Sequence, residues 1–239
     1  MSATVEIDRH EGVTSITLQR PEKMNALSAE LVEGLIAAVA GAHAASATLV
    51  VFRGSGRNFS AGFDFGGFEE QSAGDLLLRF VRIEQLLQKV AQSPAVTLAI
   101  AHGKNFGAGV DLFGSCALRA ATSDSTFRMP GLKFGLVLGT RRYAQIVGKQ
   151  VARDVLTQSR TFSAQDALRH GFVTELCELE NGDSCIEQAL KAATMLTPQA
   201  RAQLHRTLAP AALDEDLASL VRSAAEPGLK DRIRAYLGK

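Results

Sequence analysis

Apolar and polar side chains alternate from Val13 to Leu18, the period of a strand with one buried face. Pro21 ends that run by restricting the backbone of Arg20. Ser28 then offers an N-cap with Glu30 in the first turn. Leu31, Val32, Leu35, Ile36 and Val39 follow at helical spacing. Thr48 to Phe52 reads as a short, largely apolar strand closed by Gly54-Ser55-Gly56. A polar, mobile-looking stretch, Glu69 to Gly74, precedes a predicted helix from Asp75 to Ala91. Its inward face carries Leu76, Phe80, Ile83, Leu87 and Val90. Pro94 leads into another strand, Val96 to Ala101. Strands alternating with helices predict α/β layers joined by crossover connections. From Ser163 onward the patterns are mostly helical, with a strand near Phe172 to Cys177 and with Pro198, Pro210 and Pro227 as punctuation.

Two glycine-bearing segments interrupt this pattern: Phe59-Ser60-Ala61-Gly62-Phe63-Asp64, and Gly103-Lys104-Asn105-Phe106-Gly107-Ala108-Gly109-Val110-Asp111. Each follows an apolar run, and the second opens onto a helix-like run. Glycine removes the Cβ that blocks close approach of a ligand to the backbone. Two N–H groups aimed at one oxygen stabilise charge developing there, as on a thioester carbonyl. The second segment also delivers a carboxylate, Asp111.

Composition narrows the partners. The 239 residues carry a net charge of +1 with no Trp, which gives no global case for nucleic acid or an anionic membrane. No apolar run approaches the ~20 residues that span a bilayer. The polar N-terminus has no signal-like core, so the cytoplasm is the expected compartment. Cys116, Cys177 and Cys185 form no CxxC pair, and free thiols are expected. The five histidines have no metal-like mutual spacing, and no metal site is expected. Ser115 lacks the context of a nucleophile elbow.

Four segments in register identify a family. Gly12-Val13…Ile16-Thr17-Leu18-Gln19-Arg20-Pro21-Glu22-Lys23-Met24-Asn25-Ala26-Leu27-Ser28 resembles the N-terminal signature of the crotonase (enoyl-CoA hydratase/isomerase) superfamily. Phe59 to Asp64 and Pro94 to Leu112 resemble its two oxyanion-hole loops. Phe162-Ser163-Ala164-Gln165-Asp166-Ala167…Gly171-Phe172-Val173 resembles its downstream stretch. The resemblance implies an α/β fold: a ββα spiral with two roughly perpendicular sheets over residues 1–180, then a helical region, 181–239, for trimerisation and active-site cover. It implies a CoA thioester as substrate, no other cofactor, a homotrimer or dimer of trimers, and fatty acid metabolism as the setting.

By position, the backbone N–H groups of Phe63 and Ala108 become the hole donors and Asp111 the catalytic carboxylate. Lys23, Asn25, Ala26 and Leu27 would line the adenine and pantetheine path. Ala61, Gly62, Asp64, Phe65 and Gly107 would also bind the CoA ligand. Two departures stand out. The family's second carboxylate falls on Gly131, which cannot transfer a proton. Asp111 stands where Glu is usual, so its oxygens lie about 1.5 Å further back. Nearby, Arg141 and Arg142 can reach the active site, clamp a substrate carboxylate, or serve a surface or interface; Tyr143 reads as structural. Arg232 and Lys230 can touch CoA phosphates or sit on a solvated helix face. The expected activity is enoyl-CoA hydration or isomerisation. The alternatives are decarboxylation and non-catalytic acyl-CoA binding.

Overall fold

A computed structural model describes residues 4–178, 182–208 and 211–238. Nine strands and ten α-helices are formed among these residues. The large sheet has the order β1-β2-β3-β4-β6-β9. Its strands are β1 (Val5–His10), β2 (Val13–Leu18), β3 (Leu49–Gly54), β4 (Val96–Ala101), β6 (Leu118–Thr122) and β9 (Glu175–Cys177). The β1-β2 pair is an antiparallel hairpin, and every later neighbour pair is parallel. Parallel neighbours require crossovers. The helices α1 (Ala29–Ala44) and α2 (Ala73–Ala91) supply the first two.

The central strands are buried on both faces, which explains their unbroken apolar runs. Val50, Phe52, Ala99 and Ala101 face the main core with α1 and α2. Leu49, Val51, Leu98 and Ile100 face a second cluster that includes Cys185 and Ala189, on α7 (Gly182–Thr194). Helix α7 therefore packs on the back of the large sheet, whereas Leu220, Ala224, Leu229 and Ile233 further along the tail join the main core. The expected boundary at residue 180 lies outside the described residues, as does Pro210.

The smaller sheet, β5-β7-β8, consists of β5 (Lys104–Phe106), β7 (Thr126–Arg128) and β8 (Phe162–Ser163). Strands β4 and β5 are followed by α3 (Ala108–Gly114), so the ββα unit sends its two strands to different sheets. The β6-β7 pair repeats the division, followed by a 3-10 turn, Gly131–Phe134, and α4 (Thr140–Val147).

The expected N-cap forms at Ser28. The Ser28 hydroxyl accepts a hydrogen bond from the Leu31 N–H at 3.2 Å. A Ser28→Ala substitution removes this acceptor and is expected to cost ~1 kcal/mol, read as a lower urea midpoint at unchanged m-value. Ser163 caps α6 (Ala164–Arg169) in a reciprocal capping box with Asp166.

Two boundaries differ from the sequence-based expectation. The stretch before α2 is more ordered than its polarity implied: Ser72 and Asp75 form a capping box that starts the helix at Ala73. The last strand is shorter, because the Phe172 and Val173 N–H groups both turn back to the Ala167 carbonyl. The remaining tail helices are α5 (Lys149–Gln158), which precedes Ser163, and α8 (Pro198–Leu208), α9 (Leu213–Ala225) and α10 (Leu229–Leu237). Cys116, Cys177 and Cys185 are free thiols. No described helix is long and apolar enough to cross a membrane.

Candidate active site

The two glycine segments meet. Leu27 and Phe63 form an isolated parallel bridge: the Leu27 N–H donates to the Gly62 carbonyl at 2.7 Å, and the Asp64 N–H donates to the Leu27 carbonyl at 3.3 Å. In that geometry the N–H of Phe63 itself points away from Leu27. Ala108 is the first residue of α3, where helix geometry leaves the N–H without an intrahelical acceptor. Among the described residues neither N–H donates to a protein acceptor.

Gly62 brings the loops together. Its φ is +79°, and a Cβ there would lie 2.4 Å from the Phe106 carbonyl oxygen and 2.9 Å from the Ala108 nitrogen. Only glycine tolerates both the backbone angle and the contact.

A cavity of about 310 Å³ opens beside these groups. Ala61, Phe63, Phe65, Gly107, Ala108 and Asp111 all line it. Its far wall is apolar, with Met129, Leu132, Phe134, Leu136, Leu138 and Leu156. Tyr236 and Leu237 of α10 complete it, so the C-terminal helix of the same chain covers the site. Gly131 is in the wall and contributes no acid. Lys23, Asn25, Ala26, Leu27, Gly62 and Asp64 do not line the cavity. The Asn25 side chain is committed to the fold: its amide donates to the carbonyls of Ser55 and Asn58, and its oxygen accepts from the Arg20 N–H. Asp64 pairs with Arg20 at 2.9 Å. Lys23 is exposed.

Asp111 is 6% exposed. Its Oδ1 is enclosed and has no hydrogen-bond partner. The carboxyl lies against Gly139, the N-cap of α4, where a Cβ would come within 1.8 Å of Oδ1. Burial pushes its pKa well above the usual carboxylate range; the Arg142 charge opposes this shift and the Glu84 charge adds to it. Burial thus favours the neutral form of this carboxyl over the charged one.

The paired arginines divide. Arg141 is on the outside, bound to Asp216 at 2.7 Å and near Glu215 at 3.4 Å. Arg142 is buried and donates to Glu84 at 3.0 Å, with Asp216 at 4.0 Å. Neither lines the cavity, so the active-site role and the carboxylate clamp left open for them are not realised here. Tyr143 packs on Phe162 and Phe172, and burial pushes its hydroxyl pKa to about 12, in keeping with a structural role. Arg232 is occupied by the carbonyls of Phe134, Ser223, Glu226 and Pro227, and Lys230 donates to the Glu69 carbonyl.

Three polar groups here went unread in the sequence. Glu84 interrupts the apolar face of α2 between Ile83 and Leu87, and that break in pattern was its signal. Arg128 and Thr140 line the cavity, whereas Glu84 does not. Arg128 ends β7 immediately before Met129-Pro130, and a cation at the end of a core strand was a usable sign.

Comparison with known proteins identifies the family and the fold. The family model for enoyl-CoA hydratase/isomerase matches residues 8–226. The chain is 31% identical over 204 residues to a probable enoyl-CoA hydratase of Mycobacterium tuberculosis, covering 84% of this chain and 82% of that protein. A solved structure from Bordetella parapertussis, provisionally assigned as an enoyl-CoA hydratase/isomerase, is 56% identical and covers all of both chains at a TM-score of 0.98. An enoyl-CoA hydratase/isomerase from Xanthobacter autotrophicus superposes at 0.84 with 25% identity, covering 96% of this chain and 87% of that one. With the family model matching residues 8–226, the chain belongs to the enoyl-CoA hydratase/isomerase family.

Proposed function

We propose that this protein processes acyl-CoA thioesters of the 2-enoyl type through a thioester enolate. The observation that carries the proposal is the enclosed carboxyl of Asp111, without a hydrogen bond, in the wall of an apolar cavity that also exposes Phe63 and Ala108. The thioester oxygen would accept from the Phe63 and Ala108 N–H groups. These donors act most strongly on the charge that develops as electrons move into the carbonyl. Lys23 to Leu27 would border the CoA portion outside the cavity.

Burial favours the neutral form of Asp111, which suits proton donation. Water adds at Cβ, the π electrons move into the thioester, and the Asp111 proton passes to Cα. The resulting carboxylate recovers a proton from the added water. One carboxyl can thus perform both transfers in turn, without a second acid at Gly131. A double-bond shift would instead begin from the ionised form, which burial disfavours.

The single acid also favours one other reading, an acyl-CoA-binding member that no longer turns over. Incubation with a chain-length panel of 2-enoyl- and 3-enoyl-CoA, followed by loss of the conjugated thioester absorbance and product mass, separates the two. Consumption of a 2-enoyl-CoA with gain of one water is expected. Tight binding across the panel without any product would overturn the catalytic reading.

A further inference from the structure

The acyl cavity carries a cation that the reaction above does not use. Arg128 is the single basic residue among those lining it. Its position is built by the small sheet: Arg128 pairs in register with Phe106, and its carbonyl accepts the Gly107 N–H at 2.8 Å. The side chain reaches toward the C-terminal end of α5, where Nε donates to the Ser159 carbonyl at 2.9 Å. Leu156, one turn earlier on α5, lines the cavity beside it. Among the described residues no carboxylate pairs with this guanidinium, and its terminal nitrogens donate to no protein acceptor.

The surroundings make that arrangement selective. The wall near Arg128 is Met129, Pro130, Leu132 and Leu156, which gives a neutral acyl chain good contact but leaves the guanidinium donors unmatched. Guanidinium presents a planar fork that fits a carboxylate through two parallel hydrogen bonds. Asp111, the carboxyl that shares this wall, makes no ion pair or hydrogen bond with that fork. Arg141 and Arg142 are both engaged elsewhere, which leaves Arg128 as the cavity's anion-recognising group.

We infer that Arg128 selects CoA thioesters whose acyl group ends in a carboxylate, so that the substrates are dicarboxylic acyl-CoAs. This inference rests on the acyl-CoA reading above and narrows it to a substrate class.

The test is calorimetric binding to the full chain of a dicarboxylic series, succinyl- to suberyl-CoA, against monocarboxylic acyl-CoAs one carbon longer. Free CoA serves as a control. At least one dicarboxylic member is expected to bind about tenfold or more tighter than its neutral partner. Arg128→Met should bring that ratio to within about twofold of unity, and Arg128→Lys should keep part of it, since a point charge lacks the fork. Equal affinity of the two series for the wild type, or an unchanged ratio in Arg128→Met, would overturn the inference. So would an equal loss of affinity for free CoA in Arg128→Met, because the guanidinium would then serve the CoA moiety. If Arg128→Met does not fold, the wild-type ratio and Arg128→Lys still decide the matter. Failure of every acyl-CoA to bind would instead strike the acyl-CoA reading itself.

Discussion

Asp111→Asn is expected to lower turnover on the order of 10²-fold while raising the melting temperature. Both effects come from one fact: the carboxyl is enclosed, without a hydrogen bond, against Gly139. Its pKa is raised by burial. A carboxyl with a folded pKa above its unfolded value favours the fold below the unfolded pKa. That contribution is lost as pH rises through the folded pKa. Above its ordinary pKa the unfolded chain is free to ionise Asp111, whereas burial in the folded chain opposes that ionisation at a cost. Asparagine does not ionise and occupies nearly the same volume, so the variant escapes this cost. The stability gap between variant and wild type should therefore widen as pH rises from about 4, read by thermal melts across a pH series.

Turnover should move oppositely. The neutral acid is the donor, so wild-type activity should fall along an alkaline limb set by Asp111, and the residual activity of Asp111→Asn should lack that limb. Full activity in Asp111→Asn would remove Asp111 from the mechanism. An activity that rises with pH through the same range would make it the base of an isomerisation.

The two glycine segments and Asp111 were legible in sequence because backbone chemistry is local. A glycine required at φ +79° under a neighbouring chain leaves a mark at its own position. So does a strand buried on both faces: Thr48 to Phe52 and Val96 to Ala101 read as unbroken apolar runs. What was not legible depends on distant partners. Arg142 could be read as solvent-facing, interfacial or substrate-binding because its partner, Glu84, is 58 residues away on another helix. Asn25 was read toward a ligand, but its side chain is spent on Ser55, Asn58 and Arg20; no local pattern distinguishes an amide that binds a loop from one that binds a ligand. Arg128 escaped notice because the closing wall, Leu156 and α10, arrives from far along the chain. The start of α2 was obscured differently. Ser72 and Asp75 form a capping box, but the polar residues around them read as a loop.

The buried Arg142–Glu84 pair should prove the most destabilising place to remove one charge. Arg142 and Glu84 have side chains 5% and 1% exposed and sit 3.0 Å apart. Gln88 donates to the same Glu84 oxygen at 3.1 Å, and Asp216 of α9 lies 4.0 Å from the same Arg142 nitrogen. The cluster thereby joins α2, α4 and α9 behind Asp111. Arg142→Met leaves Glu84 buried with Gln88 alone, and such a broken pair costs about 3–5 kcal/mol. Burial already pushes the Glu84 pKa upward against the pull of Arg142, and removal of the arginine raises it further. A carboxyl with a raised folded pKa loses its contribution as pH rises, so the deficit in urea unfolding should be larger at pH 8 than at pH 5. The double variant Arg142→Met/Glu84→Met replaces both charges with apolar groups and should recover most of the loss. A double variant no more stable than the single would show that Arg142 acts through packing rather than charge. The same substitution has a catalytic reading. Arg142 is the charge that opposes the raised pKa of Asp111, so Arg142→Met should carry the alkaline limb of turnover to higher pH, a shift that lost packing alone would not produce.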